Sequence, residues 1–202
     1  MTAIKYPKGI KPFASNKTVK KQAAVKRASI PGHGNRGMAF EDAINKTNEY
    51  YILKNLAVIT KRPTPINIVS VDYTKGALIT KAYFETQSTT DYNGVYNGHY
   101  IDFEAKSTRS KTSFPLSNIQ PQQITHLEHV LLHKGWAFFL IHFALLDEVY
   151  LLPAEYVIDF YHKRERASIP YEDFKTHGKK IRVSYNPPCD YLPEAIALFE
   201  KE

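Results

Sequence analysis

One cysteine, Cys189, leaves no possibility of an internal disulfide or of a cysteine-rich zinc site. No apolar run approaches the ~20 residues that a membrane-spanning helix requires. The longest, Trp136 to Ala144, has the length of a buried strand. The first residues carry lysines and prolines without an apolar core or a cleavage-site pattern, so a secretory signal is not expected. There is no GxGxxG, no GxxxxGK and no GxSxG, which removes the usual signatures of dinucleotide binding, phosphate-loop chemistry and the serine-hydrolase elbow. Internal repeats are also missing. Together these absences describe a reduced, cytoplasmic protein.

Acidic residues are missing from one part of the chain only. Residues 1–40 hold nine lysines and arginines, Arg36 the last of them, and no aspartate or glutamate. That leaves 18 of the 27 basic residues and all 20 acidic ones for residues 41–202, which are close to neutral. The positive charge is thus gathered in an arm, as suits a segment that grips a polyanion. With few large apolar residues, the arm, residues 1–34, is expected to be disordered when free. The remaining 35–202 are long enough for one well-packed domain.

Within that domain, Phe40, Ile44, Thr47 and Tyr51 recur at helical spacing from about Asn35 to Asn55, with Glu41 in the first turn. A short strand over Leu56–Thr60 is followed by Arg62-Pro63-Thr64-Pro65, which breaks any continuing ladder. Two strands, Ile66–Tyr73 and Ala77–Phe84, then form a hairpin around Thr74-Lys75-Gly76, with Lys61, Arg62, Lys75 and Lys81 distributed along it. Ser107–Lys111 is a basic connection that includes Arg109 and Lys111. A second helix from Gln120 to Lys134 buries Ile124, Leu127 and Leu131, places Gln123 at the margin of the buried stripe, and stops at Gly135. Its histidines His126, His129 and His133 fall opposite that stripe, in solvent and far from any carboxylate, which argues against a zinc site. Trp136–Phe143 is a central strand, Glu148–Leu152 another, Pro153–Lys163 and Pro170–His177 helices, and Ile181–Tyr185 a late strand. Asp190 is a candidate cap for a last helix through Phe199. The order predicts an α/β fold, a mixed sheet flanked by helices.

The chemistry concentrates in Thr89-Thr90-Asp91-Tyr92-Asn93-Gly94 and in His99 to Lys106. Ile101, Phe103 and Ala105 alternate with Asp102, Glu104 and Lys106, the period of a half-buried strand whose second face carries two carboxylates and an ammonium. Asp91 and Glu104 offer anionic oxygens of the kind Mg²⁺ prefers, and Lys106 would point at the same spot without coordinating. Asp followed by Glu-x-Lys on a strand resembles the core of the PD-(D/E)xK nuclease superfamily. The plainer reading is a solvated charged face.

Five separated strings agree with one family: Asn35-Arg36-Gly37-Met38, Pro63-Thr64-Pro65, Thr89 to Gly94, Tyr100 to Lys106, and Lys111-Thr112-Ser113-Phe114-Pro115-Leu116. Together they resemble RecU, the Holliday junction resolvases of low-GC Gram-positive bacteria, from about residue 35 to about 160. The resemblance implies a restriction-endonuclease-like fold and a homodimer that nicks four-way DNA junctions symmetrically with Mg²⁺ or Mn²⁺. It implies that Thr89, Asp91, Glu104 and Gln123 surround the metal, that Lys106 is the catalytic lysine, and that Glu41 completes the acidic site. The hairpin, residues 62–85, would be the stalk that protrudes to engage the junction, and the arm would contact DNA and modulate RecA; branch-migration proteins are further implied partners. DNA contacts are expected from Arg36, Lys61, Arg62, Lys75, Lys81, Arg109 and Lys111. Thr90 stands where the superfamily's name-giving proline would be, as it does in the RecU-like pattern.

Two other readings compete. A sequence-specific nuclease of the same superfamily would share the metal site without needing the stalk. A non-enzymatic basic DNA-binding protein would account for the arm and leave the acids and the lysine unexplained.

Overall fold

The computed structural model of the protein describes residues 36–85 and 89–200. The basic arm, residues 1–34, lies outside the described residues, and so does the side chain of Arg36. In chain order the elements are α1 (Arg36–Leu53), β1 (Val58–Lys61), β2 (Ile66–Asp72), β3 (Leu78–Phe84), β4 (Tyr92–Tyr96), β5 (His99–Thr108), β6 (Ser113–Pro115), α2 (Pro121–Leu132), β7 (Trp136–Phe143) and β8 (Glu148–Pro153). They continue through α3 (Ala154–Lys163), β9 (Ser168–Pro170), α4 (Tyr171–His177), β10 (Lys179–Lys180), β11 (Arg182–Val183), β12 (Cys189–Asp190) and α5 (Leu192–Phe199). Among the described residues no helix is long and apolar enough to cross a membrane.

The central sheet has the order β1-β4-β5-β7-β8-β10. β5 and β7 run parallel, and the other neighbours are antiparallel. This is the mixed α/β architecture that the sequence predicts. β5 and β7 lie in the middle, and the alternation along β5 separates two apolar layers. Ile101, Phe103 and Ala105 join Phe40, Ile44 and Tyr51 of α1 and the residues around α5. The opposite face of β7 carries Ala137, Phe139 and Ile141, which pack with Ile124 and Leu127 of α2 and with Val157 of α3.

Asp102 and Glu104 project on that second side, paired in register with Ala137 and Phe139. Both are fully buried, at 0 % exposure, so the second face of β5 is covered and not solvated. A central strand has neighbours on both sides and a helical layer on each face, and its polar residues must find partners inside the protein.

β4 was not foreseen as a strand. It pairs with β1 through Ile59↔Gly94 and with β5 through Tyr92↔Phe103, and it is closed onto β5 by a turn at Asn97-Gly98, both with positive φ. Gly94 permits the close approach of β1: a Cβ there would stand 2.1 Å from the Val58 carbonyl oxygen and 2.6 Å from the Ile59 Cα. β2 and β3 form a separate two-stranded sheet, and nearly every side chain on them is exposed. The root of this hairpin is closed by the Glu85 N–H donating to the Pro65 carbonyl at 3.0 Å.

Three local expectations are corrected. Glu41 falls beyond the first turn of α1, where the helix dipole no longer explains it. Asp190 does not cap α5; it lies in β12 and accepts the Tyr51 hydroxyl at 2.8 Å. The left-handed residue that ends α2 is Lys134 (φ 63°), one before Gly135.

Candidate active site

Extending the β4–β5 register one step past Tyr92↔Phe103 sets Asp91 opposite Glu104. Neighbours across an antiparallel pair share a face, so the two acids stand on the same side of the sheet. The Asp91 backbone N–H donates to Glu104 Oε2 at 3.1 Å. The Lys106 Nζ lies 2.7 Å from Glu104 Oε1. The ammonium is the contact of that oxygen, which is otherwise buried without a donor. Lys106 is half-buried, with 23 % of its side chain exposed.

Burial is the main reason that the Glu104 carboxyl is pushed up to about 8, and the negative charge of Asp91 adds to it. Lys106 acts in the other direction without cancelling the effect. Two acidic side chains brought together, one of them buried, form an arrangement that a cation would relieve. The donor set is oxygen throughout, which suits a hard divalent ion such as Mg²⁺.

Thr89 is half-buried in the turn that enters β4, two residues before Asp91. Gln123 is buried at the start of α2, where its Oε1 accepts the Gln120 N–H at 3.0 Å, one half of a capping box. An amide oxygen has a second lone pair, so this cap does not exhaust Gln123 as a ligand. Glu41 on α1 forms an ion pair with Lys61 of β1. Lys75, Lys81, Arg109 and Lys111 are exposed, the first two on the hairpin and the last two on the connection after β5.

A second constellation, which the sequence reading did not find, surrounds Asp102. Its Oδ1 accepts the hydroxyl of buried Thr90, and its Oδ2 accepts Arg62 Nη2 at 2.6 Å and the Tyr100 hydroxyl at 2.8 Å. His126 Nε2 lies 2.9 Å from the same Oδ2. His126 is therefore beside a carboxylate and not in open solvent, because the first half of α2 covers the polar side of β5. Period two already placed Asp102 on the face of Glu104, and that was its only signal in the sequence. The histidines of α2 do not gather into a metal cluster among the described residues.

The family model described as "Recombination protein U" matches residues 35–196. Over 195 residues, and 94 % of each chain, the sequence is 49 % identical to "Holliday junction resolvase RecU" of Geobacillus kaustophilus. Over 178 residues it is 52 % identical to the protein of the same description from Lactococcus lactis subsp. cremoris, covering 87 % of this chain and 84 % of that one. Among solved structures, the Archaeoglobus fulgidus Hjc Holliday junction resolvase aligns with a TM-score of 0.41 and 8 % identity over 69 % of this chain and 92 % of that chain.

Proposed function

This chain belongs to the RecU family, and on that footing we propose that it is an endodeoxyribonuclease that resolves Holliday junctions by nicking two opposed strands. The observation that carries the reading is the meeting of Asp91, Glu104 and Lys106: an acid, a buried acid hydrogen-bonded to the first through its backbone, and an ammonium 2.7 Å from the second.

Asp91 and Glu104 would hold a Mg²⁺ or Mn²⁺ ion, with Thr89 and Gln123 as the remaining oxygen donors. Bound there, the ion would act as a Lewis acid on the phosphate and make a water nucleophilic near neutral pH. The protein's own groups do the rest. Glu104 is buried and held by the Asp91 N–H and the Lys106 ammonium, which keeps a site ready without rearrangement. Lys106 places a positive charge beside that oxygen, where it offsets the negative charge developing on the scissile phosphate. Exposed Lys75 and Lys81 on the hairpin and Arg109 and Lys111 beyond β5 meet the DNA backbone, and the basic arm, residues 1–34, adds contact that is independent of base sequence. A homodimer follows from the reaction, since a two-fold protein presents two such sites to a two-fold junction. The arm also offers a charged docking segment for RecA, and the protein works in the cytoplasm at the nucleoid.

The test is cleavage of a synthetic mobile four-way junction, with nicks mapped on all four strands, against linear duplex of the same sequence. We expect symmetric nicks on one opposed pair of strands, dependent on Mg²⁺ and lost in Asp91→Asn and Glu104→Gln. Equal cutting of the linear duplex, or undiminished nicking by both variants, would refute the assignment.

A further inference from the structure

Between the sheet and the root of the hairpin, one buried carboxylate holds four groups from four parts of the chain. Thr90 comes from the turn bearing Asp91, Arg62 from the link between β1 and β2, Tyr100 from β5 itself, and His126 from α2. Arg62 is tied at both ends. Its guanidinium donates to Asp102 and, at 2.8 Å, to the Tyr100 hydroxyl, while its backbone N–H donates to the Asp91 carbonyl at 2.8 Å. The side chain is only 17 % exposed. Both side-chain bonds leave from Nη2, and Nη1 stands 3.4 Å from His126 Nε2, so one edge of the guanidinium is turned into the protein.

We propose that Asp102 and Arg62 are positioning residues that lock the root of the hairpin to the Asp91-bearing turn, so that a junction engaged by the hairpin is held in fixed register with Asp91 and Glu104. The inference rests on the nuclease reading above and deepens it. It assigns Arg62 a role through Asp91 and not through DNA. The geometry carries this: Arg62 opens the segment Arg62-Pro63-Thr64-Pro65, and two prolines stiffen the path from it to β2. Asp102 fixes Thr90 and Arg62 with its two oxygens, and each of those residues is attached directly to Asp91, Thr90 by the peptide bond and Arg62 by a hydrogen bond. A displaced catalytic group about 1 Å from its productive place can cost about a hundredfold in rate.

The experiment compares full-length wild type, Arg62→Ala, Arg62→Lys, Asp102→Asn and the double variant Arg62→Ala/Asp102→Asn on a synthetic four-way junction. Dissociation constants are measured in EDTA, single-turnover nicking rates at saturating enzyme in Mg²⁺, and amide hydrogen exchange at Arg62 and Asp91 in the metal-free protein. We expect the saturated rate of Arg62→Ala and of Asp102→Asn to fall by about a hundredfold, with dissociation constants changed less than about threefold. The double variant should be no slower than the slower single variant, as befits two halves of one lock. Arg62→Lys should recover part of the rate by restoring the charge without the fork, and exchange at Arg62 and Asp91 should quicken in Asp102→Asn. A raised dissociation constant with an unchanged saturated rate in Arg62→Ala would make Arg62 a DNA contact and overturn the proposal; additive rate losses in the double variant would overturn it as well. Should Asp102→Asn fail to fold, the Arg62→Ala and Arg62→Lys pair decides by the same split between rate and affinity. A wild-type protein that nicks junctions while Asp102→Asn nicks equally well removes the positioning role alone, whereas a wild type without nicking removes the function beneath it.

Discussion

Lys106 stands 2.7 Å from Glu104, two residues along the same strand and on the same face, and it is the half-buried member of a pair whose other member is fully enclosed. The lysine is therefore the more accessible of the two charged groups.

Replacing Lys106 by alanine removes the charge proposed to face the scissile phosphate while leaving the strand intact. Nicking should fall by about 10²- to 10³-fold, the scale of losing one preorganised electrostatic contact to a transition state. Junction affinity in EDTA should change little, because the many exposed basic residues dominate it. Single-turnover nicking and a metal-free binding titration on the same preparation check both halves.

The pH dependence of stability follows from Glu104. Its carboxyl is raised from 4.5 to about 8 in the folded protein, so between those values the native state holds a proton that the unfolded chain has released. The stability this group contributes is complete below about 4.5 and is lost as pH rises through about 8, on the order of 5 kcal/mol at most. Metal-free wild type should therefore lose stability relative to Glu104→Gln as pH rises from 5 to about 9, read by denaturant titrations at each pH. Mg²⁺ or Mn²⁺ competes with that proton, so its affinity should rise by up to about tenfold per pH unit below about 8. A flat difference between the two proteins across this range would contradict the burial of Glu104.

Gly94→Ala places a methyl group against the backbone of β1, at the Val58 carbonyl oxygen and the Ile59 Cα. Backbone cannot step aside as a side chain does, so the edge strand must shift, at a cost of about 1–3 kcal/mol or more. The shift would carry Lys61 and Arg62 with it, since Lys61 is the last residue of β1 and Arg62 follows it. We expect both a lower unfolding midpoint and slower nicking, whereas Gly76→Ala at the tip of the hairpin meets nothing within 4 Å and is strained only by its positive φ of 114°, so its cost should be smaller.

The helices and the central strands were legible because their signals are local. Trp136–Phe143 shows in one apolar run, α1 in four residues at helical spacing, and β5 in its alternation. The two acids and the lysine were legible through spacing and resemblance. What escaped depended on distant pieces. β4 is short, and polar at Asn93, with only the Asn97-Gly98 turn to announce it. The helical wheel sorted α2 into an apolar stripe and a solvent side, and it had no means of knowing that a buried aspartate would stand under His126. Arg62 read as one more basic residue on a basic hairpin, because its partner Asp102 is 40 residues away in sequence.

The hairpin of β2 and β3 stands outside both apolar layers, with Ile68, Val69, Leu78 and Phe84 among its exposed side chains. A lone two-stranded ribbon in water is only marginally stable, so its amides should exchange sooner than those of β5 and β7. Order in this protein is thus graded: the sheet that carries Asp91, Glu104 and Lys106 should stay closed to solvent under conditions in which the ribbon already opens.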